Sequence, residues 1–245
     1  MANQTVFEIS TDARFEKALT FIKQKIKNEK HLSKIIRKKE RTYLIITANK
    51  NIVPDLHSAI TQVVITTMKN YYLTTHTSIP NIPSINREAF IRALSLYDEK
   101  TDTIIAGAMV KITPRILLDG LYDFALAPLR KRWSEVAKLV NENMLNLLSK
   151  SMFDELLRFL ISNLDHKINE AHIIKNNKKI MICNDELTPF DIAVGNSDMN
   201  IINALIDISP KTIFIHANGN DIEKKLIKSI EQIFPRCVTI SVCKH

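Results

Sequence analysis

The chain has 245 residues, 45% of them hydrophobic, a net charge of +8 and a mean hydropathy of −0.05, the composition of a folded protein rather than a disordered one. No apolar run approaches the roughly 20 residues that cross a bilayer, and the start, MANQTVFEIS, lacks the basic, apolar and small-residue segments of a secretory leader. The reading is a cytoplasmic protein without a membrane span, and three cysteines (Cys183, Cys237 and Cys243) are too few for a disulfide framework.

Thr5–Ile9 alternates as a short strand, and Thr11 or Asp12 can cap the helix carried by Phe15, Ala18, Leu19, Ile22 and Ile26. That stripe is read as resuming at Leu32, Ile35 and Ile36. The continuous apolar run Tyr43–Thr47 is read as a strand buried on both faces. A helix follows from Pro54 or Asp55, with Leu56, Ile60, Val63, Val64, Thr67, Met68 and Tyr71 along one side. This βαβα order describes a small α/β unit over residues 1–75. The proline-containing stretch 76–84 is read as a linker or loop.

Residues 85–168 are read as helical. Asn86 is placed as the cap of Arg87–Tyr97, Thr103–Lys111 is compatible with helix or strand, and Pro114 suits the first turn of a helix running through Phe124. From Val136 to Leu164 one apolar stripe persists for about 30 residues, long for a globular helix, with Ser149-Lys150-Ser151 as the point where it bends or breaks. Residues 169–245 change character. Asn169–Ile174 and Lys178–Cys183 flank Asn176-Asn177 as a β-hairpin. Asn200–Ile208 is a helix, Thr212–His216 a strand, a further helix carries Ile222 to Ile233, and Cys237–Val242 closes as a strand in a parallel crossover. The fold class expected is α+β (mixed α/β): an N-terminal βαβα unit, a central helical segment with one long helix, and a C-terminal hairpin plus βαβ sheet covered by helices. The three parts are free to pack as one domain.

The charge is unevenly placed. Between Lys23 and Arg41 nine basic residues stand against Glu29 and Glu40, nearly the whole excess of the chain. Lys34, Arg37, Lys38, Lys39 and Arg41 are the candidate anion or nucleic-acid contacts in this run, because such a field attracts phosphate. The bland alternative is a solvated helix face in a lysine-rich chain. Arg130, Lys131 and Arg132 form a second basic cluster beside Trp133, which can stack on a base or pack at the start of a helix. The four glycines form neither a Walker loop nor a dinucleotide triplet, so no cofactor is expected. Cys237 and Cys243 lie about 20 Å apart on an extended strand, too far for one ion, so no metal is expected. His216, at the C-terminal end of its strand, is the one catalytic candidate, with His172 on the hairpin as its prospective neighbour. Either imidazole titrates near neutrality and suits a general base, and the competing reading is a half-buried histidine satisfied by a backbone carbonyl. Leu187–Val194 with Ile201–Leu205 reads like one ankyrin repeat, but no second copy exists at the spacing a stacked array needs.

Three stretches carry a resemblance: Arg87–Ile105 (REAF…AL…YDEKTDTII), Phe153–His172 (FDELLRFL, then KINEAHI), and Ile206–Val238 (IDISPKTIFIH, then IEQIFPRCV). In these the chain, from about residue 55 onward, resembles the YtxC-like family of sporulation-associated proteins of endospore-forming Firmicutes. The phrase ahead of the long helix, LLDGLYDFALAPLRKRW, departs from the arginine- and phenylalanine-rich form usual in that family. The resemblance implies a cytosolic role in sporulation and supplies no catalytic residues. The expected function is therefore a non-enzymatic binding or scaffolding protein with a basic surface, engaging a protein partner or nucleic acid. The alternatives are self-association along the long helix and an enzyme using His216.

Overall fold

The computed structural model describes residues 4–26, 32–79, 82, 84–144, 150–176, 179–190, 197–216, 222–234 and 238–241. Its first elements in chain order are β1 (Gln4–Thr11), α1 (Glu16–Lys25), β2 (Leu32–Lys38), β3 (Arg41–Asn49), α2 (Val53–Val63), α3 (Lys69–His76), α4 (Ser84–Leu96) and α5 (Glu99–Met109). Then follow β4 (Arg115–Leu117), α6 (Leu118–Gly120), α7 (Ala127–Met144), α8 (Lys150–Ser162), β5 (Ile168–Asn176), β6 (Lys179–Cys183), α9 (Asp198–Ile208), β7 (Pro210–His216), α10 (Lys224–Ile233) and β8 (Val238–Ser241). The class is α+β, with two mixed sheets. Among the described residues no helix is long and apolar enough to cross a membrane.

The chain divides into two compact units, each assembled from two separated stretches. Met1–Thr77 joins Asp98–Val140, and Ser78–Tyr97 joins Asn141–His245. In the first unit the sheet order is β2-β3-β1-β4, with β4 parallel to β1 and the other pairs antiparallel. Period two sorts its side chains: Phe7, Ile9, Leu44 and Ile46 are buried together with Leu19 and Ile22 of α1 and Leu56 and Ile60 of α2. Asp12 opens the first helical segment, its Oδ1 accepting from Arg14 N at 2.9 Å.

Several expectations are corrected in this unit. Leu32, Ile35 and Ile36 lie on the edge strand β2, not on a continuation of the helix. Tyr43–Thr47 is buried on one face only, its even-numbered residues in the core and its odd-numbered ones half-exposed. After Pro114 the chain forms β4 before any helical turn, pinned where Glu8 N donates to Pro114 O at 2.8 Å. The undecided stretch Thr103–Lys111 lies mostly on α5. Between α2 and α3 the helix runs as five π-type residues, Val64–Met68. A π turn adds a residue and rotates everything after it: Tyr71 leaves the buried stripe, and Lys69, Tyr72 and Leu73 enter it.

The second unit holds the sheet β6-β5-β7-β8, with β5/β6 antiparallel and β5/β7 and β7/β8 parallel, so the hairpin and the parallel pairing of the last two strands are present. Ala171, Ile173, Ile213 and Ile215 are buried, as are Leu205 of α9 and Leu226 and Ile230 of α10. The stretch read as one long helix carries α7 and α8, and residues 145–149 between them lie outside the described residues. Asn86 does not cap α4; it is buried inside the helix and donates Nδ2 to Asp154 Oδ1 at 2.8 Å. At the helix–strand junction, Ser197 Oγ accepts from Asn200 N at 3.3 Å and starts α9. Ser209 ends α9 in the left-handed region at φ 39. Pro210, with no N–H to donate, then occupies the first position of β7, where a ladder tolerates it.

Candidate functional site

Two surfaces bear the chemistry, one in each unit. In the first, β2 and β3 form a hairpin whose two-residue turn is Lys39-Glu40, with Lys34 opposite Ile45, Ile36 opposite Tyr43 and Lys38 opposite Arg41. Because Leu44 and Ile46 face the core, their odd-numbered neighbours and the β2 residues paired with those neighbours lie on the other face. That face carries Lys34, Ile36 and Lys38 on β2, Tyr43 and Ile45 on β3, and Glu8 and Arg115 on the next two strands. Val6, Leu32 and Leu117, on the same face, are exposed apolar residues. Lys34, Lys38 and Lys39 have no ion pair among the described residues and are exposed. Lys39 sits at φ 50, a conformation that glycine or asparagine adopts at less cost.

The arginines of the two basic clusters are differently placed. Arg37 points to the helical side and donates to Glu16 Oε2 at 2.6 Å. Arg41 grips Asp119 with two bonds of 3.1 and 2.6 Å. That carboxylate is the main cause holding the Arg41 guanidinium above its ordinary value. Arg130 donates to Asp123 O at 2.6 Å and lies over the Tyr122 ring at 5.6 Å. Arg132 pairs with Asp98 and reaches Asp102 at 3.4 Å. Lys131 is exposed. Trp133 is 1% exposed and donates Nε1 to Asp102 Oδ2 at 3.0 Å, so it packs in the core rather than offering a stacking surface. Lys27 and Lys30 lie outside the described residues.

In the second unit the face of the sheet opposite Ile173 and Ile215 brings His172 and His216 together, with His172 Nδ1 and His216 Nε2 at 2.8 Å. The register explains the contact: His172 is opposite Phe214, and Ile174 opposite His216, on adjacent parallel strands. The rings stack at 5.1 Å, and His172 also stacks on Phe214 at 4.9 Å. On the far side, His172 Nε2 finds Glu170 Oε2 at 3.5 Å but makes no hydrogen bond. One nitrogen of the contact must donate and the other accept, so the bond survives only while at least one ring is neutral. Burial, and then the charge of His172, hold His216 below the ordinary imidazole value. Cys183, opposite His172 on β6, is buried, and burial pushes its thiol up, which makes it a poor nucleophile. Among the described residues no three metal-ligating side chains converge, and Cys237, Cys243 and His245 lie outside them.

No family model, curated protein or solved structure matches the chain. Reading for local motifs missed the partners on both faces, Tyr43 and Ile36 on the first and Glu170 and Phe214 on the second. The signal for the first was available: LSKIIRK and RTYLIITAN separated by two residues is hairpin spacing.

Proposed function

We propose that the protein binds rather than catalyses, and that its ligand is a single-stranded nucleic acid laid across the open face of the first unit's sheet. The observation that carries this reading is the juxtaposition of Lys34 and Lys38, which have no ion pair among the described residues, with half-exposed Tyr43 and Ile36 on one face. Lysines supply backbone charge without sequence preference, and an aromatic ring gives each base a surface to stack on. Lys39 extends the charge at the hairpin tip, in a backbone conformation that a charged residue enters at a cost. A cytosolic setting and a role in sporulation belong to the same proposal and rest on the resemblance to YtxC-like sequences alone.

Fluorescence anisotropy with a labelled oligonucleotide tests it. Replacing Lys34, Lys38 and Lys39 together by glutamine should weaken binding at least tenfold. Tyr43→Ala should remove about 1–3 kcal/mol, the worth of one stacked base. Equal affinity in all three proteins would exclude this face.

The 2.8 Å contact between His172 and His216 favours a second reading, an enzyme using His216 as a base. Against it, the cavity of about 430 Å³ in the same unit is lined by neither histidine.

A further inference from the structure

The 430 Å³ cavity lies where α8, the end of α9, the start of β7 and the end of α10 meet. Its volume falls within the range of about 300–1,000 Å³ typical of small-molecule sites. The walls are apolar, built by Phe159, Leu164, Ile206, Ile233 and Phe234. Phe159 is 63% exposed, an aromatic ring left on the surface at the cavity.

Among the described residues, Arg158 is the one lysine or arginine of this lining. It is half-buried, and its Nε donates to Gln232 O at 2.8 Å. Gln232 is itself held, its Nε2 donating to Asp154 Oδ2 at 3.0 Å, while Asn86 occupies the other oxygen of that carboxylate. The nearby acid is thereby taken up by two amides rather than by the guanidinium. Anchoring at Nε fixes the guanidinium plane and leaves Nη1 and Nη2, the end-on fork, without a partner among the described residues. Two parallel N–H groups are the donor pattern that a carboxylate accepts. Glu155, one helical turn earlier, also lines the cavity, is solvent-exposed and makes no ion pair among the described residues. Its charge disfavours a dianion such as a phosphate monoester and is compatible with a monoanion. His166 lies at the same cavity with Nδ1 3.4 Å from Ser209 O.

We propose that this cavity binds an apolar monocarboxylate, its carboxylate on Nη1 and Nη2 of Arg158 and its hydrocarbon part against Phe159, Ile206 and Phe234. Calorimetric titration of the full chain with octanoate, octan-1-ol and octylamine tests the assignment. Octanoate should bind at least tenfold more tightly than the other two. Arg158→Gln should lose that preference while binding octanol as before, with circular dichroism confirming that the variant folds. No binding of octanoate, equal binding of the acid and the alcohol, or an undiminished acid preference in Arg158→Gln would each overturn the proposal. Should the variant fail to fold, the comparison of acid, alcohol and amine on the wild-type chain still decides it.

Discussion

Lys69 is 2% exposed and meets Asp102, equally buried, at 2.7 Å. Asp102 also accepts the Trp133 N–H, so one carboxylate holds α3, α5 and α7 together. Two ions taken out of water gain little net stability as a pair, but an orphaned one is costly. Asp102→Ala should therefore destabilise the first unit by about 3–5 kcal/mol in urea denaturation, and a loss under about 1 kcal/mol would contradict this account of the pair. In the second unit His216 is held below the ordinary imidazole value. The unfolded chain takes up a proton near pH 6.5 that the folded one resists. This contribution to stability is therefore complete above about pH 6.5 and is lost as the pH falls through the folded value. Urea midpoints at pH 7.5 and 5.5 should diverge more for the wild type than for His216→Gln. An identical pH dependence in the two would remove His216 as the cause. That His216 stands at a strand end beside His172 was readable from the order of the chain. That they touch at 2.8 Å depended on the parallel register of β5 and β7, which spacing within either strand does not encode.

Elements with one deeply buried face were legible, and the edge strand β2 was not. α9 and α10 have regular apolar positions because a full face of each is buried, whereas the unbroken apolar run of β3 identified the strand but not its single buried face. β2 lies at the sheet edge with no residue fully buried, so nothing selected for alternation, and Leu32, Ile35 and Ile36 mimic helical spacing. The α2–α3 stripe was legible up to Met68, where the π turn displaces it by one position and brings a lysine inside. β3 makes the distinction between its faces measurable. Leu44→Ala should cost about 2–5 kcal/mol, whereas Ile45→Ala, on the open face, should stay below about 1 kcal/mol. Equal losses in chemical denaturation would mean that the open face is packed rather than exposed.

At the level of the molecule, each unit buries one face of a four-stranded sheet and carries its candidate site residues on the other. Each unit is also woven from two separated stretches: α4 lies between α3 and α5 in sequence yet belongs with α8 and α9. A division drawn in chain order, at a proline-rich loop, has no means of representing such an exchange. The localised charge was visible in composition, but its division between ion-paired arginines and lysines without an ion pair among the described residues was not, because Glu16, Asp119 and Asp98 are distant in sequence. The binding proposal rests on those lysines. Its most direct test is the salt dependence of single-stranded oligonucleotide binding by the wild-type chain and by the variant lacking Lys34, Lys38 and Lys39. With about 0.7 counterions released per phosphate neutralised, the wild type should show a log–log slope near −2, and the variant a slope close to zero. A wild-type affinity independent of salt, or the same slope in both proteins, would contradict it.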